Sequence, residues 1–278
     1  MLFMQDDGLV KMKHVSISAK VSVIVPTYNG SEFIEETINS VIEQDYCNVE
    51  LIVIDDCSTD NTVKVVSKLE SKFNFKFLSN ETNQGLMKTN NIAVKESSGE
   101  YLLILGHDDL LASNHIAQLL NDFKPNDVML WCNSDVIDAN GKIVEESLKN
   151  YVQLIKNKFT RPLLMVANYI SSTGAIIRRS TFDQVGGFSE QYRHFGEWTL
   201  WIKLAAKGQI KFSTQTKSYY RRHDENMTSE SNIKKSRTVL DNFYISAKEL
   251  AELSFKLNLI ESVFSYIYTN FHAIKKSL

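Results

Sequence analysis

Apolar positions in the first part of the chain form two patterns that take turns. Continuous runs at residues 21–25, 49–54, 75–78 and 101–105 are rich in Val, Ile, Leu and Phe, as in strands buried on both faces. Between them, Phe33, Ile34, Ile38, Val41 and Ile42 recur at helical spacing behind Ser31, a candidate N-cap. Asp60 is placed to cap a helix carrying Val63, Val66 and Leu69, and a third helix is expected over residues 85–95. Strands alternating with helices predict an α/β fold whose parallel sheet is covered on both faces.

The second half is less regular. Apolar runs at 128–137 and 143–144 flank Asn140-Gly141, a strong hairpin signal. Residues 172–177 read as a further strand, Gly186-Gly187 as a loop, and residues 198–206 as a helix. From about residue 233 the pattern is helical to the end, with Phe255, Leu259, Phe264, Ile267 and Phe271 on one face. That face is expected to pack on its own domain, on a second copy as a homodimer, or peripherally on a membrane.

Ligands of parallel sheets bind beyond the carboxyl ends of the strands. Here those ends lead into Pro26-Thr27-Tyr28-Asn29, Asp55-Asp56 and Gly106-His107-Asp108-Asp109. Adjacent carboxylates repel unless a cation or proton compensates, and hard oxygen ligands at such an edge suit Mg²⁺ or Mn²⁺. One capping residue would not need four acids on one edge. A ligand site with a divalent ion, which can share its coordination with phosphate, is the chemistry this edge predicts.

In order and spacing, Val25-Pro26-Thr27-Tyr28-Asn29, Asp55-Asp56-Cys57-Ser58-Thr59-Asp60, Asn83-Gln84-Gly85 and Gly99-Glu100-Tyr101 resemble family 2 glycosyltransferases of the GT-A fold. The resemblance runs from about residue 20 to residue 223. It implies a GT-A sandwich with a mostly parallel central sheet. The expected division is an N-terminal extension (1–20), a glycosyltransferase domain (21–225) with donor (21–110) and acceptor (111–225) halves, and a C-terminal helical segment (226–278).

The same resemblance implies roles. Pro26, Thr27, Tyr28 and Asn29 would lie at the nucleoside, with Tyr28 against the base and Asp56 accepting a hydrogen bond from its edge. Asp108 would sit near the ribose or the metal, and Asp109 would bind the ion bridging the phosphates. In Tyr220-Arg221-Arg222-His223, His223 would complete the metal shell and Arg222 would contact the pyrophosphate. Gly186-Gly187-Phe188 resembles a glycine loop beside the donor sugar, which makes Gly187 a donor contact. Gly196-Glu197-Trp198-Thr199-Leu200-Trp201 resembles the segment carrying the general base, here Glu197. Trp198 is expected at the acceptor pocket and Trp201 in the core. One departure stands out: Gly106 occupies the place of the first acid in the common Asp-x-Asp-Asp motif.

The implied reaction is an inverting transfer from a nucleoside-diphosphate sugar, a UDP-sugar being the commonest case, to a glycan or lipid-linked acceptor hydroxyl. Surface polysaccharide or glycoconjugate assembly is the expected setting, by analogy. Composition changes this picture little. The chain has 278 residues, 43% hydrophobic and 23% charged, an ordinary globular balance. A formal charge of −2 gives no basic surface for nucleic acid. Three scattered cysteines, no apolar leader and no run of roughly 20 apolar residues lead to the expectation of a cytoplasmic protein, with peripheral contact at the inner face of the membrane as a variant. Two other readings stand beside the enzyme. A non-catalytic nucleotide-sugar binding module would not need acids at Asp109 and Glu197. A sugar-nucleotide pyrophosphorylase would need a Gly-rich, Arg-containing loop after Val25, which is absent.

Overall fold

The computed structural model describes residues 19–147, 160, 164, 168–191, 196–224 and 226. The expected C-terminal helical segment therefore lies outside the described residues, apart from Asn226. Strands β1 (Val21–Thr27), β2 (Val49–Asp55), β3 (Lys76–Ser79) and β4 (Tyr101–Ile104) alternate with helices α1 (Ile34–Ile42), α2 (Thr62–Phe73) and α3 (Leu86–Lys95). Next come β5 (Leu110–Leu111), α4 (His115–Asp122), β6 (Asp127–Ile137), β7 (Ile143–Glu145), β8 (Ile176–Arg178), α5 (Arg179–Gln184), α6 (Gly196–Ala205) and β9 (Gln209–Arg221).

Among the described residues there is one nine-stranded sheet, ordered β3-β2-β1-β4-β8-β6-β9-β5, with β7 paired to β6. It is parallel from β3 to β4, where Thr27 lies level with Asp55 and Ile24 with Ile104. β8 enters antiparallel between β4 and β6, and β6 and β9 run parallel again. The fold is thus mixed α/β, with the parallel part where the continuous apolar runs predicted it.

All seven residues of β1 are buried because the sheet has a core on each face. Ile24 packs with Ile52, Leu102, Met87 of α3 and Trp201 of α6. Val21, Val23 and Val25 pack on the opposite face with Ile34 and Ile38 of α1, Leu69 of α2 and Leu119 of α4. Burial on both sides removes any reason for polar alternation along these strands. Among the described residues, no helix is long and apolar enough to cross a membrane.

Three local expectations are corrected. Ser31 does not cap α1, which begins at Ile34; its amide donates to Asp60 Oδ2 at 3.2 Å, so it ties two loops together. Asp60 does hold the start of α2, accepting from the Thr62 amide at 2.9 Å, although Asn61 occupies the cap position. Residues 172–177 supply only the beginning of a strand, since β8 starts at Ile176. Before it, Gly174 adopts φ +75°, a left-handed conformation that breaks extended structure. β9 was not foreseen, because Thr214, Gln215, Thr216 and Lys217 give its middle a polar, loop-like composition.

Candidate active site

The parallel strands end on one edge, and the loops leaving it build the site. After β1, Tyr28 projects with 45% of its surface exposed, leaving a ring face open. Asn29 takes φ 52° and clasps the neighbouring loop: its amide donates to Ser58 Oγ at 2.8 Å and its Oδ1 accepts from the Thr59 amide at 2.8 Å. Thr27 is buried, and its Oγ1 has no hydrogen-bond partner among the described residues. The carbonyl of Pro26, itself buried in β1, takes a hydrogen bond from the His107 ring. That ring leaves no space at position 30, where an added Cβ would lie 2.3 Å from His107 Cδ2.

Asp56, beyond β2, is buried and held by three donors. Its Oδ1 accepts from Asn80 Nδ2 at 2.9 Å and the Gln84 amide at 2.8 Å, and Oδ2 accepts from the Gly85 amide at 2.9 Å. The carboxylate is thereby held in one orientation beside the end of β1, where the Asp56 amide donates to the Thr27 carbonyl at 2.8 Å, with acceptor capacity left on Oδ2.

The two acids after β4 point in opposite directions. Asp109 faces inward, with Oδ1 accepting from the Arg221 amide at 3.0 Å and Oδ2 from Thr173 Oγ1 at 2.8 Å. Burial, reinforced by the Asp108 charge, raises its carboxyl well above the ordinary range, against the hydrogen bonds from Arg221 and Thr173. Asp108 faces outward, and its Oδ2 lies 3.0 Å from His223 Nε2 and 3.1 Å from Asn226 Nδ2. Asp108 and His223 retain 16% and 13% of their side-chain exposure. Gly106 allows this turn, since a Cβ there would come within 2.8 Å of Asp108 Oδ1.

Glu197 stands in the first turn of α6, partly exposed. Burial of its carboxyl raises the pKa, and a hydrogen bond from the Ser172 hydroxyl partly offsets this. Its charge also bears on Asp109, so the base candidate and the acid pair share one region. The loop before β8 serves both, with Ser172 on Glu197 and Thr173 on Asp109.

Three expected residues are placed otherwise. Arg222 points to solvent and meets Glu145 at 3.3 Å, a pair in which both side chains are about 60% exposed, away from the acid pair. The inward arginine is Arg221, as strand alternation along β9 requires. Gly187 takes φ +69° against Asn91 and Phe182, where a side chain would not fit; Asn91 binds both backbone groups of Phe188. Trp198 is buried in the core beside Leu164, to whose carbonyl its indole N–H donates at 2.7 Å. Trp201 is in the core as expected.

Among the described residues, no three or more His, Cys, Asp or Glu side chains form a metal cage. Even so, the donor set fits a hard divalent ion. A carboxylate oxygen and an imidazole nitrogen lie side by side, 3.0 Å apart, on side chains that keep a little exposure, and Mg²⁺ or Mn²⁺ takes its other ligands from water and phosphate.

The model of the family described as "Glycosyl transferase family 2" matches residues 22–186. The chain belongs to glycosyl transferase family 2. An uncharacterised glycosyltransferase of Rickettsia typhi is 28% identical over 221 residues, covering 78% of this chain and 68% of that one. The Escherichia coli UDP-Glc:α-D-GlcNAc-diphosphoundecaprenol β-1,3-glucosyltransferase WfgD is 30% identical over 195 residues, covering 68% of this chain and 71% of the relative. The poly(ribitol-phosphate) β-N-acetylglucosaminyltransferase TarS of Staphylococcus aureus is 39% identical over 134 residues, 46% of this chain and only 23% of TarS. The crystal structure of TarS residues 1–349 with UDP aligns at a TM-score of 0.67 and 24% identity, over 93% of this chain and 72% of that one. A Pyrobaculum calidifontis mannosyltransferase solved with GDP-Man and Mn²⁺ aligns at 0.64 and 19% identity, over 84% of this chain and 65% of that one. These structures share the GT-A arrangement with this family 2 glycosyltransferase, whose acid pair, exposed tyrosine and buried Asp56 all occupy the same sheet edge.

Proposed function

We propose that this family 2 glycosyltransferase moves a sugar from a UDP-sugar to an acceptor hydroxyl with inversion at the anomeric carbon. The observation that carries this reading is the contact of Asp108 with His223 at the strand edge that also bears Tyr28 and Asp56, with Glu197 of α6 close enough for its charge to act on Asp109. Tyr28 offers a ring face for the base, and Asp56 offers an acceptor to a base N–H. The spare acceptor on Asp56 suits a uracil edge. UDP in the TarS structure and the UDP-linked donor of WfgD support that choice.

Asp108 and His223 would hold a divalent cation, which stabilises the diphosphate leaving group as charge develops on it. Asp109, expected from the sequence to bind the ion, would instead hold the loop in place from the inside, because both of its carboxylate oxygens already accept hydrogen bonds. Glu197 accepts the acceptor hydroxyl's proton while that oxygen bonds to the anomeric carbon. The bond from that carbon to the diphosphate oxygen breaks on the opposite face, and UDP departs with the electron pair. The raised affinity of Glu197 for a proton suits it to this task. A glycan or lipid-linked acceptor is favoured by the acceptors named for TarS and WfgD. Incubation with a panel of UDP-sugars and Mn²⁺, with UDP release and product anomers followed by NMR, tests the assignment. A retained anomeric configuration removes the single-displacement reading, and release of UMP from UDP-sugars would point to a pyrophosphatase instead.

A further inference from the structure

Arg221 is completely buried, yet it carries a permanent charge, which demands that its donors be matched. Its Nε donates to the Asp108 carbonyl at 2.9 Å. Its Nη1 reaches the carbonyls of Asp138 at 3.3 Å and Ala139 at 2.9 Å, in the turn between β6 and β7. Its Nη2 donates to Glu36 Oε2 at 2.7 Å, on α1, where the Glu36 side chain is 58% exposed. One guanidinium thus joins a helix, a hairpin turn and the loop of the acid pair.

The contacts continue to the groups around it. The guanidinium lies over the Phe33 ring, 4.8 Å from its centroid, and that ring is 4.8 Å from the His223 ring. The Arg221 amide donates to Asp109, and its carbonyl accepts from Asn226 Nδ2 at 3.1 Å. The same amide nitrogen of Asn226 also reaches Asp108. Both Asp108 and His223 are therefore braced by parts of one residue, the first through its backbone and the second through the ring on which the guanidinium rests. A charge needed for stability alone would serve as well, or better, as packed hydrocarbon. These bonds run instead to the main chain that aims Asp108.

We propose that Arg221 is the positioning residue of the cation site, fixing Asp108 and His223 relative to one another before the ion binds. This rests on the proposed cation-dependent reading of the site. Outer partners of metal ligands act in this way by holding ligand orientation. Arg221→Lys preserves the charge and the aliphatic stem, but a single ammonium cannot span the three directions of the fork.

The test is Mn²⁺ binding to the full chain by EPR in the presence of saturating UDP. UDP binding in EDTA and a melting curve are measured alongside. Arg221→Lys is expected to weaken Mn²⁺ by roughly ten- to a hundredfold, with UDP binding in EDTA unchanged. Phe33→Leu, which removes the ring between the guanidinium and His223, should shift Mn²⁺ affinity the same way with a smaller loss. Wild-type Mn²⁺ affinity in Arg221→Lys overturns the proposal, as does a matching loss of UDP affinity in EDTA, the mark of general damage. If Arg221→Lys does not fold, wild-type Mn²⁺ affinity in Phe33→Leu overturns it. Failure of the unaltered protein to take up Mn²⁺ with UDP would instead sink the cation reading, and Arg221's role with it.

Discussion

Asp108 and His223 meet at 3.0 Å although 115 positions separate them in the chain. The contact exists because β9 runs parallel to β6 and delivers residues 221–223 beside the loop that leaves β4. Asp109 adjoins Asp108 in sequence but has its carboxylate committed to Thr173 and the Arg221 backbone. In the proposed reading the two acids divide one task, with the outer carboxylate at the ligand side and the inner one bracing the loop.

Asp108→Ala and His223→Ala should each abolish the Mn²⁺-stimulated rate while leaving the melting midpoint near that of the parent. Each loss should exceed the roughly 10–100-fold that removal of an outer-shell partner produces. Asp109→Ala should behave differently, lowering the midpoint because it strips a buried amide and hydroxyl of their acceptor. Melting curves and Mn²⁺ titrations of the rate on the three variants distinguish the roles. A full rate in excess EDTA would remove the ion from the mechanism.

Glu197→Gln keeps the shape of the side chain but cannot take a proton as a carboxylate does. Its kcat should fall by roughly 10²–10⁴-fold, with UDP affinity unchanged. The wild-type rate depends on the ionised form, so it declines as pH falls. Because burial raises the pKa, that acid limb should lie above the ordinary value of 4.5. Steady-state kinetics across pH on both proteins, with calorimetry of UDP, checks each part.

Tyr28→Ala should weaken UDP binding by about 1–3 kcal/mol, the usual worth of base–aromatic stacking, at almost no cost in stability because the ring is half exposed. Asp56→Ala should weaken it too, but with a lowered melting midpoint, since Asn80 and the Gln84 and Gly85 amides lose their shared acceptor. Calorimetry paired with thermal melts separates the two. Equal UDP affinity in both variants and the parent would move the base elsewhere.

The parallel half of the sheet was legible because strands covered on both sides write long apolar runs, as at residues 21–25 and 49–54. The edge on which the strand ends converge followed from the polar residues that end those runs. β9 was not legible. Its middle is polar, and its order comes from pairing with β6, as in Asp135 opposite Tyr219, a relation between distant segments. With β9 unread, nothing separated Arg221 from Arg222, and the pairing of Asp108 with His223 had no local signature. Ser172 and Thr173 were read as strand for a related reason. Their hydroxyls are spent on Glu197 and Asp109, contacts that only the tertiary fold creates.

Gly106→Ala should impair Mn²⁺ use although it only adds a methyl group, because that carbon would press within 2.8 Å of Asp108 Oδ1. By the same geometry, Gly106→Asp, which restores the commoner acidic motif, should lower the rate rather than raise it. Mn²⁺ titrations of the rate on the two variants decide this. Wild-type Mn²⁺ dependence in Gly106→Asp would show that Asp108 can turn aside without loss.

The absence of room between Gly30 and His107 ties two distant codons to one another. A mutation that enlarges position 30 meets the imidazole at once, and relief comes from a smaller side chain at 107 together with a turn of the Thr27 hydroxyl, which an added Cβ would approach to 2.7 Å. In evolutionary descent the two positions should change as a pair, with lineages that carry Ala or Ser at the first carrying a compact residue at the second. Ancestral reconstructions would then show the shrinking step at 107 preceding the growing step at 30, because the opposite order passes through a damaged intermediate.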